Sequence, residues 1–300
     1  MTAPSMPLTQ SARKGRRELK NAVATGLIVA SFVIALIPLT LIVIYVIQAG
    51  ASVFNLNFLT EDLPFSNRRE GGGIYPAIVG TLVITGTATA MAVPLGILGG
   101  IYLNEYGGRG IFARFVRVLA DVMTGVPSIV MGLFIYTIWV LPRKQSGLSG
   151  FAGALALGCL MLPIVIRTTE EILKLVPDEL REGSYALGTR KAQTIRRVVF
   201  PNAAPGIVSG ALLGVARVAG ETAPLLFTIG IVSTANFNVF DGPNTALPQQ
   251  IYINAGTFGG FPAAVDRAWG AALALILLVF LFTLVARVIT AIYTRRSAAV

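Results

Sequence analysis

The sequence contains no histidine and one cysteine, Cys159, in 300 residues. Without histidine, a His/Cys zinc site and serine–histidine catalysis are both excluded. A lone thiol inside an apolar run forms no intrachain disulfide and says little about redox compartment. No G-x-x-x-x-G-K-[ST] stretch occurs. Gly71-Gly72-Gly73 lacks the lysine and the strand-to-helix setting of a phosphate loop, so the chain is not expected to hydrolyse ATP itself. G-x-S-x-G is absent too, and no long repeat or heptad stands out. No catalytic residue, metal ligand or cofactor-binding residue can be assigned. Charge is also scarce, at 13% of residues against 54% hydrophobic.

That balance, with a mean hydropathy of +0.74, excludes an ordinary soluble domain. The formal net charge of +10 would suit nucleic acid if the cations were spread over a polar surface. They stand instead in short tracts beside apolar runs, which is a topology signal and argues against a nucleic-acid partner. Six runs are long enough to span a bilayer: about 22–47, 74–103, 112–141 (with Pro127 inside), 151–166 (with an amphipathic extension to 175), 203–232 and 268–292. The first is too long for a signal-peptide core. The expected fold is an all-α integral membrane protein with six transmembrane helices and short cytosolic helices. Its parts are an unstructured basic tail (1–20), a first span (21–48), a transmembrane domain (73–292) containing a loop at 177–201, and a second tail (293–300). With both termini in the cytosol, eighteen of the twenty-four lysines and arginines fall inside, and five (Arg68, Arg69, Arg143, Lys144, Arg267) fall outside. Small residues at Gly80, Thr81, Gly86, Thr87 and Ala90 suit close helix packing.

The polar loop between the fourth and fifth runs reads as a helical elbow. Pro177-Asp178 starts a helix with Asp178, Glu179 and Glu182 in its early turns. Leu180, Ser184 and Leu187 give it one mildly apolar face. Gly188 suits a left-handed cap, Thr189 can cap the next helix, and Pro201 is expected to stop that helix. Glu182-Gly183-Ser184, three residues, Gly188, nine residues and Val198-Val199-Phe200-Pro201 resemble the EAA loop of ABC importer permeases, where Gly183-Ser184 replaces Ala-Ala. The resemblance implies that Glu182, Gly183, Ser184, Gly188 and Pro201 dock into a separate ATPase subunit.

Arg217, the remaining cation, falls near the middle of the fifth run, and Glu221 follows one helical turn later. An arginine at mid-bilayer costs about 2.5–3.5 kcal/mol on insertion scales and persists where it meets water, protein or a partner. One reading is a self-neutralised structural pair. The sharper one is an anion pathway, in which the guanidinium fork greets an oxyanion and Glu221 keeps the binding weak. Asp121, in the third run, is an intramembrane acid that either serves function or pairs with an arginine. Arg167 with Glu170-Glu171 ends the fourth run and reads as an interfacial anchor, while the resemblance to importer permeases keeps a role at the inner end of the pathway open. Glu105 and Arg109 read as flanking a solvated turn at Gly107-Gly108.

Arg217-x-x-Gly220-Glu221-Thr222-Ala223-Pro224-Leu225-Leu226, Gly125-Val126-Pro127-Ser128, Arg167-Thr168-Thr169-Glu170-Glu171 and Ala246-Leu247-Pro248 resemble the permeases of bacterial phosphate-specific ABC importers, over roughly residues 73–292. That resemblance implies a type I permease fold in the bacterial inner membrane and alternating access. It also implies a second permease subunit, a pair of ATP-binding subunits that hold Mg-ATP, and an extracytoplasmic phosphate-binding protein. Arg217, Glu221 and Thr222 would then line the phosphate path. A sister permease of the same importer, a permease for molybdate or sulfate, an intramembrane enzyme using Glu221 or Asp121, and a non-transporting scaffold remain as alternatives.

Overall fold

The computed structural model describes residues 11–66, 68–108 and 110–297, and within these the side chains at 11–16, 144–146 and 292–297 lie outside the description. In chain order the helices are α1 (Ser11–Ala51), α2 (Leu56–Thr60), α3 (Tyr75–Ile101), α4 (Ile111–Gly125), α5 (Ser128–Ile135) and α6 (Gly150–Lys174). They continue as α7 (Asp178–Ala186), α8 (Lys191–Thr194), α9 (Phe200–Ala219), α10 (Leu225–Thr228), α11 (Leu247–Tyr252) and α12 (Pro262–Ser297). Wider π turns extend α3 through Tyr102–Gly107 and join α8 to α9 through Ile195–Val199. No strand occurs among the described residues.

Among the described residues five helical stretches are long and apolar enough to cross a membrane, and the bent pair α4–α5 makes a sixth if it counts as one span. The chain divides into two compact units, Met1–Ala49 and Gly50–Val300. The first unit contributes most of α1, an apolar helix with Pro38 inside it. Residues 11–20, expected to belong to an unstructured tail, instead form the start of α1. Residues 11–20 contain no proline, and a helix nucleated in the apolar run extends backward at little cost. Residues 1–10, Arg109 and residues 298–300 lie outside the described residues.

Two expected spans are corrected. The third is not straight: α4 and α5 meet at 105°. Pro127 removes a donor and pushes Val126 into extended backbone (φ −71°, ψ 130°), so the α-helical ladder cannot pass. The fifth ends at Ala219 rather than near 232. Gly220 and then Pro224 break it, and 221–224 form a turn before the four-residue α10.

In the second unit α6 is the central helix, with α3 on one side and α9 on the other. Gly96 and Gly100 of α3 admit Val165 and Thr169 of α6. Ile84, Ala88, Ala92, Leu157, Met161, Val165 and Val218 fill the shared core. Such small-residue contacts replace the hydrophobic drive that lipid cannot supply. A second core joins Phe58, Ile74, Ala77 and Leu247 to Ala271 and Ala274 of α12.

Gly80 and Thr81 form the packing contact expected of small residues, against the fully buried segment Asn244–Gln250. The Thr81 hydroxyl accepts from the Leu247 amide at 2.8 Å, and a methyl on Gly80 would overlap the Thr245 carbonyl oxygen. Gly86 corrects the pattern, since nothing lies within 4 Å of a methyl placed there. Gly80→Ala is therefore expected to cost about 1–3 kcal/mol by overpacking. Gly86→Ala should leave stability unchanged or raise it by roughly 0.5–1 kcal/mol. Thermal unfolding of the two purified variants in detergent checks the contrast.

Candidate functional site

The two helix breaks that the apolar runs concealed face one cleft. Val126 and Pro127 at the α4–α5 break line one wall, with Met123, Thr124 and Ser128 beside them. Leu160 and Ile164, from the middle of α6, line another. Arg217, Val218 and Glu221, at the end of α9, complete a space of about 270 Å³. The breaks pack directly on each other: a methyl on Gly132 of α5 would lie 2.6 Å from the Pro224 Cα. Irregular backbone is tolerated inside apolar bundles where it is covered by protein or lines a cavity, and both breaks line the cavity here.

Arg217 is exposed and sits in the last turn of α9, where the carbonyl dipoles favour a cation. The expectation that Arg217 and Glu221 share one helical face fails, because the helix ends between them. Both line the cleft, yet no ion pair or side-chain hydrogen bond joins either to another group among the described residues. The guanidinium fork is left uncommitted beside the cavity. Thr222 does not line the cleft; its carbonyl accepts from the Leu225 amide at 3.1 Å and starts α10. Thr124 and Ser128 are cleft hydroxyls that hydropathy missed. The signal was available, since a proline inside an apolar run marks a break.

Arg167 and Asp121 do not reach the cleft. They pair with each other, the Arg167 Nε donating to Asp121 Oδ1 at 2.8 Å, one turn beyond Ile164 and Thr124 respectively. This is the arginine-pairing option for Asp121, and its side chain is 58% exposed. Arg167 also donates to Glu170 at 3.0 Å, where Arg117 (2.7 Å) and Lys174 (3.0 Å) converge on a carboxylate with no solvent exposure. Three cations on one buried anion fix α4 against α6. Arg117 continues outward, donating to the Leu103 and Gly108 carbonyls of the π turn at 2.8 and 3.0 Å.

The elbow lies past the end of α6. α7 starts at Asp178 behind Pro177, as the sequence indicates. Gly188 has φ +77° with open space around it, so left-handed backbone and not crowding selects glycine there. Thr189 does not cap α8; that position belongs to Arg190. The Thr189 hydroxyl turns inward to form a triangle with Ser184 (2.6 Å) and Thr194 (2.9 Å), while Ser184 and Thr194 are 2.9 Å apart. That triangle welds α7 to α8. Pro201 does not stop the second helix either. The π turn at Ile195–Val199 widens the ladder ahead of its ring, and the helix continues as α9. Glu182, Gly183, Tyr185 and Leu187 remain exposed, Leu187 at 85%.

Residues 92–298 match the family model described as binding-protein-dependent transport system inner membrane component. The phosphate transport system permease protein PstA of Mycobacterium leprae (strain TN) is 47% identical, over 94% of this chain and 92% of that protein. The PstA protein of Yersinia pestis is 41% identical over 95% of each chain. Among solved structures, a bacterial ABC transporter involved in the import of the acidic polysaccharide alginate aligns with a TM-score of 0.62. It is 14% identical and covers 93% of this chain and 98% of that one. The inward-facing MetNI methionine ABC transporter aligns with a TM-score of 0.54 at 22% identity, covering 74% and 94%. At these identities the structural likeness bears on the fold, which is that of the ABC importer permeases.

Glu170 gives a stability test. Glu170→Ala leaves Arg117, Arg167 and Lys174 facing one another and is expected to cost about 3–5 kcal/mol, as breaking a buried pair does. Asp121→Ala removes an exposed partner and should shift the unfolding temperature far less. Equal shifts for the two variants in detergent-purified protein would contradict the assigned burial.

Proposed function

This chain belongs to the family of inner-membrane components of binding-protein-dependent transport systems, and from that membership we propose that it is the PstA-type permease subunit that passes inorganic phosphate into the cytosol. It is a multi-pass inner-membrane transporter subunit and not an enzyme. Within this reading both termini and the elbow lie in the cytosol. A pair of ATP-binding subunits holds Mg-ATP and grips the elbow through Glu182, Gly183 and the exposed apolar side chains around Leu187. Ser184 keeps the two elbow helices in register, Gly188 sets the angle between them, and Pro201 opens α9. A second, PstC-type permease completes the path, and an extracytoplasmic phosphate-binding protein delivers the anion.

One observation carries the pathway: Arg217 is a cation with no protein partner among the described residues, placed where two broken helices meet at a cleft. A phosphate arriving there meets a planar fork of donors, with the Thr124 and Ser128 hydroxyls in the same lining. Glu221, on the same wall, repels the anion and keeps its residence short, which a conduit requires. Arg167 is committed to Asp121 and to Glu170, so this pair holds helices in place and does not contact the anion. Closure of the ATPase pair would swing the elbow as a rigid body and turn α9 with it.

Uptake of labelled phosphate by the complex reconstituted with its ATPase and binding protein tests the pathway. Arg217→Ala is expected to lower uptake by about 10- to 100-fold, as losing one charge-assisted contact of roughly 1.5–3 kcal/mol implies. Assembly should be intact, and undiminished uptake would overturn Arg217's role. At the elbow, Gly188→Val should weaken capture of the ATPase subunit, whereas Gly188→Asn, which tolerates left-handed backbone, should largely keep it. Glu182→Arg should weaken capture with no change in the fold of the permease. ATPase capture that none of these variants weakens would refute the docking assignment.

A further inference from the structure

The sequence alone made Glu105 part of a solvated turn, and the structure buries it. Its side chain is 5% exposed and accepts from Arg181 at 3.0 Å, across 76 residues of chain. Arg181 is the only α7 residue in an ion pair with another helix among the described residues. It also donates to the Leu173 and Val176 carbonyls at 2.9 and 2.6 Å, closing the end of α6, and to Asp178 at 3.0 Å. One guanidinium thereby holds the end of α6, the start of α7 and the π turn that ends α3.

The π turn is gripped from two further directions. Lys191 of α8 lies 5.0 Å above the Tyr106 ring. Arg117 of α4 holds the Leu103 and Gly108 carbonyls and reaches Glu170. From Glu170 the contacts pass to Arg167, one turn from Ile164 in the cleft wall. The elbow itself is tied together by the Ser184–Thr189–Thr194 triangle, which joins α7 to α8. A π turn is a natural place for a helix end to change angle, because its ladder departs from the α-helical register.

We propose that Glu105 is a positioning residue for transport: its pair with Arg181 is the joint through which the elbow moves α3 and, by way of Arg117 and Glu170, the helices around the cleft. The inference rests on the reading of the elbow as the ATPase docking site. A buried pair is a costly way to gain stability and a good way to fix geometry, since both groups must stay together to remain buried.

The test uses the whole complex in proteoliposomes and measures phosphate taken up per ATP hydrolysed, with co-purification of the ATPase subunit as the assembly control. Glu105→Gln keeps the volume and removes the charge. It is expected to assemble and hydrolyse ATP while uptake per ATP falls about tenfold, within the usual range of coupling between sites. Glu105→Asp, still anionic, should recover most of the ratio. An unchanged ratio in Glu105→Gln overturns the proposal. So does equal loss of assembly in Glu105→Gln and Glu105→Asp, because the carboxylate would then serve the fold alone. If Glu105→Gln does not assemble, Arg181→Gln decides. It removes the cation opposite Glu105, so assembly with a lowered ratio supports the joint, and an unchanged ratio, or failure of both variants to assemble, overturns it. Failure of the docking reading appears separately, as undiminished ATPase capture by Glu182→Arg.

Discussion

A carboxylate with no access to solvent must be answered by cations or give up its charge, and Glu170 is answered by three. That requirement organises one end of the bundle. Arg117 has to come from α4, which holds the amphipathic α4 against the central α6. Arg167 has to turn along α6, which draws in Asp121 and locks α4 a second time. Arg117 has donors left over, and they hold the π turn that ends α3. α3, α4 and α6 thus meet at one charged junction, and Glu105 with Arg181 ties the elbow to it.

Near the middle of α6 the constraint is reversed. There the backbone itself is irregular, at Val126-Pro127 and again at Gly220–Pro224, and each break exposes peptide groups that apolar surroundings cannot satisfy. The two breaks pack on each other through Gly132 and Pro224 and share a cleft, so one polar space serves both. Arg217 is stable at its edge because it ends a helix beside a cavity, which removes much of the cost that a cation inside an unbroken apolar span would carry. Junction and cleft are one turn apart on α6, between Arg167 and Ile164.

Much of this was legible beforehand, in particular ways. Long apolar runs located the helices because a span needs length and little else. Pro177-Asp178 placed the start of α7 and Gly188 the left-handed turn, since both depend on the local backbone. Arg217 and Glu221 stood out because a charge in an apolar run is conspicuous. The same cue misled where context decided the outcome: the fifth run counts as one span by hydropathy, yet glycine and proline end α9 at Ala219. Thr124 drew no attention, and Ser128 only as part of a family motif, because one hydroxyl in an apolar run is ordinary until a cavity forms beside it.

The sequence by itself determined that this is a helical membrane protein with a polar elbow and a lone cation, because composition, periodicity and glycine or proline at a given position act over a few residues. Only the tertiary structure decided that Pro201 is absorbed by a π turn, that Thr189 joins a hydroxyl triangle instead of capping α8, and that Arg217 and Glu221 face a cleft with no ion pair to any described residue. It alone decided that Arg117 finds Glu170 53 residues away and that Glu105 finds Arg181 76 residues away. The physical reason is the same in each case. Charges and hydroxyls choose partners by distance in space and by what surrounds them, and neither is written into the local chain.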